Sequence, residues 1–181
     1  MSFKFNKQIS TLILIISSLT IHCQISNGGQ PYSFFNLMKS EPVPNLINAP
    51  TVIEINNASN SGKGPYCVGI LKPTQISSKS DGLWTTNPDG SKVWRVKIKS
   101  KGAIGLTLHF KEFFIPTGGE VFLYNENKNH VIGKFTSDRN IKNKITHTQI
   151  IEGDETYIEY FQPAGVAESL NIQIKQVGYI F

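Results

Sequence analysis

Between Lys92 and Lys111 the chain twice alternates apolar and polar residues, and that pattern confines it to β structure. Trp94, Val96 and Ile98 alternate with Arg95, Lys97 and Lys99, a period of two that gives a strand one apolar face and one wet, basic face. Ser100-Lys101-Gly102 interrupts the pattern, and Ile104, Leu106, Leu108 and Phe110 then alternate with Gly105, Thr107, His109 and Lys111 in a second amphipathic strand. Asn87-Pro88-Asp89-Gly90 precedes the pair and spells a tight turn, since Pro88 presets φ and Asp89-Gly90 tolerates φ > 0. Two such strands joined by a short glycine-containing loop predict a β-hairpin at the heart of a sandwich.

The remaining segments extend the same theme. Short strands are expected at Thr51–Ile55, Val68–Leu71, Val121–Tyr124, Val131–Thr136, Thr148–Ile151, Thr156–Phe161 and from Leu170 to Val177. Asn56 to Pro65 reads as a flexible loop, Thr74 to Ser80 as a polar connection, and Pro116-Thr117-Gly118-Gly119 as a turn. Outside the first residues no stretch carries a helical repeat of useful length. The expected fold is therefore all-β: an antiparallel, jelly-roll-like sandwich of about eight strands. Trp94, Val96, Ile98, Leu106, Leu108, Val121, Leu123, Ile158 and Ile172 are its expected core.

Ahead of this domain the composition changes twice. Lys4 and Lys7 followed by an apolar run from Ile9 to Ile21 form a signal-peptide pattern, too short for the ~20 residues that span a bilayer. Cleavage after Cys23 divides the chain into a leader (1–23), an extended, irregular segment (24–50) and the sandwich (51–181), released to the periplasm or beyond. Cys23 also invites lipid anchoring, but His22 occupies the position where a small residue is required. Without Cys23, Cys67 has no partner for an intramolecular disulfide and is expected in a buried strand. Tyr32, Phe34, Phe35, Leu37 and Met38 are too apolar for a solvated tail and must pack on this domain or a neighbour.

Charge and motifs exclude more than they assign. The formal charge of the 181 residues is +5, and without Lys4 and Lys7 there remain 16 basic against 13 acidic residues. These are spread along strands rather than clustered, so no nucleic-acid partner is expected. His109, His130 and His147 lie in no trypsin-type motif, and no serine sits in a glycine-rich nucleophile loop, so catalytic residues are not expected. His130, His147 and Asp138 match no metal-ligand spacing, and Asp81 and Asp89 fit turns better than a calcium site. Gly28-Gly29 and Gly118-Gly119 lack the strand-to-helix setting of a phosphate loop, and no cofactor is implied. Trp94 belongs on the core face of its strand. Trp84 remains open between core and a surface platform for a sugar or protein.

The run Gly82-x-Trp84 … Pro88-Asp89-Gly90-Ser91-x-Val93-Trp94-Arg95-Val96, followed by Gly102-Ala103-x-Gly105-Leu106-x-Leu108-x-Phe110, resembles the N-terminal pro-region of secreted bacterial lysyl endopeptidases. These are trypsin-like serine proteases. The likeness continues through Phe113-Phe114-Ile115-Pro116, Gly119–Tyr124, Val131–Thr136, Gly153-Asp154-Glu155 and Val177-Gly178-Tyr179, covering roughly Val52 to Phe181. It implies a non-catalytic module that assists folding of a protease catalytic domain or keeps it silent, acting in cis or in trans. In the family a catalytic domain follows this region, and here the sequence stops before one. The contact surface expected in that reading is one sheet edge or the loop set around Ser137 to Lys144. There Arg139, Lys142 and Lys144 are candidates, and Lys142 or Lys144 suits a lysine-specific pocket by charge pairing; the alternative is that these lysines only keep an exposed loop soluble. Trp84 is the other candidate contact. The alternative is a stand-alone exported module for a glycan or a protein, without a stable membrane span once the leader is removed.

Overall fold

A computed structural model describes residues 28–36, 38–60, 67–140 and 146–181. The leader residues 1–23, Cys23 among them, lie outside the described residues, as do Lys142 and Lys144. In chain order the elements are β1 (Pro44–Leu46), α1 (Val52–Ser59), β2 (Gly69–Ser77), β3 (Leu83–Thr86), β4 (Lys92–Lys99) and β5 (Gly105–Phe114). They continue with β6 (Glu120–Asn125), β7 (Val131–Phe135), β8 (Ile151–Glu152), β9 (Glu155–Gln162) and β10 (Asn171–Ile180). The strands form two sheets. The larger has the order β1-β4-β9-β6-β7, with β3 sharing the β4 edge, and the smaller has the order β2-β10-β5-β8. The pairings are antiparallel except β1 on β4, which is parallel.

The protein is an all-β sandwich whose inner faces interlock in one apolar cluster. Trp94, Val96 and Ile98 of β4 meet Leu106 and Leu108 of β5, and Val121, Leu123, Ile158 and Ile172 join them, all fully buried. Every expected core residue is inside. Phe110, Phe113 and Phe135 extend the cluster through edge-on ring contacts.

The expected hairpin between β4 and β5 is not one, because the two strands belong to different sheets. Alternation sets which side chains share a face, and two apolar faces can meet across a sandwich as well as lie side by side in one sheet. The Ser100–Ile104 link folds the chain over: Ser100 N donates to Asp154 O, and Ile104 N donates to Ile180 O in the opposite sheet. Ile104, expected in the strand, is 67% exposed within this link. The true hairpin partner of β4 is β3, across the Asn87–Ser91 turn. There Gly90 N donates to Asn87 O at 3.0 Å and Asn87 N to Ser91 O at 2.8 Å, with Gly90 at φ +82°. Asp89 takes the Ser91 amide (2.9 Å) and hydroxyl (2.6 Å), and Asp81 takes the Ser77 amide (3.0 Å), so both aspartates build turns.

Three further expectations need correction. Thr51–Ile55 is not a strand, since Val52–Ser59 is helical. The Thr51 hydroxyl accepts from Glu54 N, and the Glu54 carboxylate takes the Thr51 amide at 2.7 Å, a complete capping box. The Thr74–Ser80 connection is mostly strand, because β2 runs on to Ser77. Cys67 is half-buried just ahead of β2 rather than buried within it, its thiol donating to Gly69 O.

Candidate partner-binding surfaces

Trp84 stands directly opposite Trp94 in the β3–β4 pairing, so both indoles point to the same side of the sheet. β3 lies at the edge of the larger sheet. Trp94 is therefore fully buried while Trp84 remains 42% exposed. The Trp84 indole is held from behind. Its Nε1–H donates to Ser78 O at 3.2 Å, and its ring leans on Trp94 (6.4 Å between centroids) and edge-on against Tyr160 (6.1 Å). Its free side borders a cleft of about 460 Å³ walled by Lys79, Thr86, Lys92, Gln162 and Glu168. Burial, with the Glu168 charge beside it, pushes the Tyr160 hydroxyl up to about 12. This cleft combines a fixed aromatic face with a polar rim.

Arg139 closes a single 3-10 turn, Ser137–Arg139, just after β7. The adjacent Asn140 clamps this turn to the β5–β6 connection: its Oδ1 accepts from Ile115 N at 2.8 Å and its Nδ2 donates to Ile115 O at 2.6 Å. β7 and β3 occupy opposite edges of the larger sheet, so Arg139 and Trp84 are not brought together.

A third surface was not foreseen. The β4 face expected to be wet and basic is covered by the N-terminal segment, and Arg95 is only 2% exposed. Register places Arg95, Glu159 and Phe122 in one row and Lys97, Tyr157 and Tyr124 in the next. Across these rows Tyr32 stacks on Phe161 at 5.1 Å, and Phe34 meets Tyr124 edge-on at 5.0 Å. Ser33 N donates to Glu159 Oε1 at 2.9 Å, while the Tyr124 hydroxyl donates to Glu159 Oε2 at 3.0 Å. Arg95 reaches Glu41 at 3.0 Å and also donates to Ser40 O. Burial and the neighbouring Glu159 charge raise the Tyr124 hydroxyl far above the ordinary tyrosine range. At the end of this face Lys97 and Lys99 both pair with Glu155. Burial alone would push the Glu155 carboxyl up, but the two lysines hold it below the ordinary range. The segment that was expected to pack somewhere thus packs on this domain. The signal was its aromatic content, Tyr32 and Phe34 above all.

The three described histidines contact threonines, a second imidazole and a backbone amide. His109 contacts Thr107 Oγ1 at 3.4 Å and stacks with His147, the His147 ring contacts Thr146 Oγ1 at 3.1 Å, and His130 Nδ1 accepts from Glu152 N at 3.3 Å. Among the described residues no group of three or more His, Cys, Asp or Glu is placed to hold a metal ion. Nor is any helix among them long and apolar enough to cross a membrane.

A comparison with protein families decides what this arrangement belongs to: residues 52–181 match the lysyl endopeptidase N-terminal domain. The chain belongs to that family. The match begins at the first residue of α1 and runs through the whole sandwich from β2 to β10. It excludes β1 and the aromatic segment on the larger sheet, so the cover over Arg95 and Glu159 lies outside the matched domain. Trp84 and Arg139 both fall inside it.

Proposed function

We propose that this lysyl endopeptidase N-terminal domain is a non-catalytic module that acts on a protease catalytic domain, in cis or in trans, assisting its folding or holding it inactive. The observation that carries this reading is the family match across residues 52–181. A module of this kind works by binding the folded form of the enzyme, which shifts the folding equilibrium by mass action and shields the cleft. The histidine surroundings support a non-catalytic role. A serine-protease relay needs a serine hydroxyl on one imidazole nitrogen and a carboxylate on the other. Here the partners of His109, His130 and His147 are threonines, a second imidazole and a backbone amide.

In this reading the chain is exported. Residues 1–23 are the leader, 51–181 the acting sandwich, and 24–50 the extended segment between them; Cys23 leaves with the leader rather than carrying a lipid. The contact is the Ser137–Lys144 loop, where Arg139, Lys142 and Lys144 offer positive charge to the acidic pocket of a lysine-specific protease. Asn140 supports this choice by fixing the start of the loop to Ile115. A second reading, a stand-alone module that takes a glycan or a protein on Trp84, is favoured by the rigid, half-exposed indole beside its polar cleft.

Titrating a lysyl endopeptidase catalytic domain with the purified chain, and with a Lys142→Ala/Lys144→Ala variant, tests the proposal. The chain is expected to inhibit while hydrolysing no lysine ester itself, and the variant to inhibit less. Equal inhibition by both removes the loop from the mechanism, and inhibition by neither favours the Trp84 reading.

A further inference from the structure

Register on the larger sheet sets a polar row beside an aromatic one. Trp84, Trp94 and Tyr160 pair in one row, and Thr86, Lys92 and Gln162 pair in the row two residues along. Positions two apart on a strand share a face, so both rows look the same way. Trp94 and Tyr160 are fully buried, whereas Trp84, Thr86 and Lys92 are exposed at the sheet edge. The cleft of about 460 Å³ is lined by these exposed positions, by Ser78 and Lys79 just past β2, and by residues 166–170 ahead of β10.

The walls are tied down from both sides. Gln162 Nε2 donates to Val166 O at 2.9 Å, and Thr117 N donates to Glu168 Oε2 at 3.3 Å. Ser78 N donates to Ile172 O at 2.9 Å, and the Ser78 hydroxyl donates to Leu170 O at 3.2 Å. Such anchoring lowers the ordering cost that a ligand would otherwise meet. The Trp84 Nε1–H is already engaged by Ser78 O, so what the indole offers a ligand is its apolar ring.

The lining selects a chemistry. Beside one aromatic ring stand Lys79 and Lys92, which only donate, Glu168, which as a carboxylate only accepts, and Thr86 and Gln162, which do both. A purely apolar ligand would strand these groups. A pyranose ring suits them: its C–H groups stack on an indole, while the hydroxyls round its edge donate and accept. The volume lies within the roughly 300–1,000 Å³ of small-molecule sites, whereas a protein partner typically covers about 800 Å² of surface. We propose that this cleft is a saccharide site, with one pyranose ring stacked on Trp84 and its hydroxyls held by Lys92, Gln162 and Glu168. The proposal rests on the reading of Trp84 as a contact residue and narrows its ligand from a glycan or a protein to a glycan. Every residue of the site falls within the matched domain.

Calorimetric titration of the full chain with cellotriose, maltotriose and triacetylchitotriose tests the site. At least one of these sugars is expected to bind with one-to-one stoichiometry. Trp84→Ala should weaken that binding by at least about tenfold, the loss expected when an anchoring aromatic is truncated. Trp84→Phe should keep most of the affinity, and Gln162→Ala should weaken it several-fold. Acrylamide quenching of the wild-type chain gives a reading that needs no variant to fold: Trp94 is buried, so the bound sugar should shield the emission of Trp84. No binding of any of the three sugars, undiminished binding by Trp84→Ala, or binding without shielding would each overturn the proposal. Inhibition of a lysyl endopeptidase catalytic domain then separates the two levels of the claim. If no sugar binds but Trp84→Ala inhibits less than the wild type, the saccharide is wrong and Trp84 is a protein contact. If no sugar binds and inhibition is unchanged, the Trp84 reading falls as well.

Discussion

Trp94 is the residue on which the most structure converges. It is fully buried, its Nε1–H donates to Asp81 O at 2.8 Å, and it touches the turn beneath β3 as well as the core. Replacing it with alanine removes both the packing and the hydrogen bond, and should cost about 3–5 kcal/mol. That is a large share of the ~5–15 kcal/mol that holds a typical domain together, so chemical denaturation of Trp94→Ala should show a steeply lowered midpoint or no native baseline. Glu155 makes a different, pH-dependent prediction. Its carboxyl is held below the ordinary value of 4.5 by Lys97 and Lys99 despite burial. A folded-state pKa lower than the unfolded one contributes stability above the unfolded value, and that contribution is lost as pH falls through the folded one. Melting curves from neutral pH to below 4.5 should therefore fall more steeply for the wild type than for Glu155→Gln; parallel curves would show that the two lysines do not favour the charged carboxylate.

Strand faces were legible from alternation. In β4, β5 and β10 it assigned the inward residues correctly, even where the N-terminal segment covers the second face of β4, because a period of two allows only two choices of face. What alternation cannot encode is which strand lies beside which, and so β4 and β5 were expected to pair although they face each other. Helix α1 was misread for a local reason. Val52, Ile53 and Ile55 are β-branched and favour strands, yet Thr51-x-x-Glu54 carries the capping-box signature that ends the ambiguity. Val52 is 73% exposed, so no core contact supplies the stability that the cap provides. Thr51→Ala should cost the helix about 1 kcal/mol and speed amide exchange across residues 54–59 while leaving the sandwich protected. Slowed or unchanged exchange there would mean that the cap does not hold the helix. The N-terminal segment was half legible: its aromatics announced packing, but no local pattern announces that Arg95 is the residue beneath. Tyr32→Ala/Phe34→Ala removes two aromatic pairs, each worth about 0.5–1.5 kcal/mol, and should lower stability by about 1–3 kcal/mol with the fold intact. An unchanged unfolding midpoint would mean that the segment merely rests on the sheet.

At the scale of the whole molecule, the family membership and the geometry bear on different questions. The match to the lysyl endopeptidase N-terminal domain covers the sandwich, and the sequence carried it openly in the Trp84–Phe110 run. The contact surface was far less legible. Trp84 looks the same in sequence whether buried or exposed, and only the edge position of β3 leaves it half open. Arg139 and Trp84, both singled out in the sequence, lie at opposite edges of the larger sheet and so do not form one site. The outer face of the larger sheet is overlaid by described residues between 28 and 36 and between 38 and 41, which lie outside the family match. The central claim is that this domain acts by binding a folded protease catalytic domain. The most direct test refolds a lysyl endopeptidase catalytic domain from denaturant with and without the purified chain, following the recovery of lysine-ester hydrolysis over time. The account predicts that the chain raises the rate or yield of the active fold and then holds that activity down until the chain is degraded. Identical recovery in both samples, with no suppression of the refolded enzyme, would contradict it.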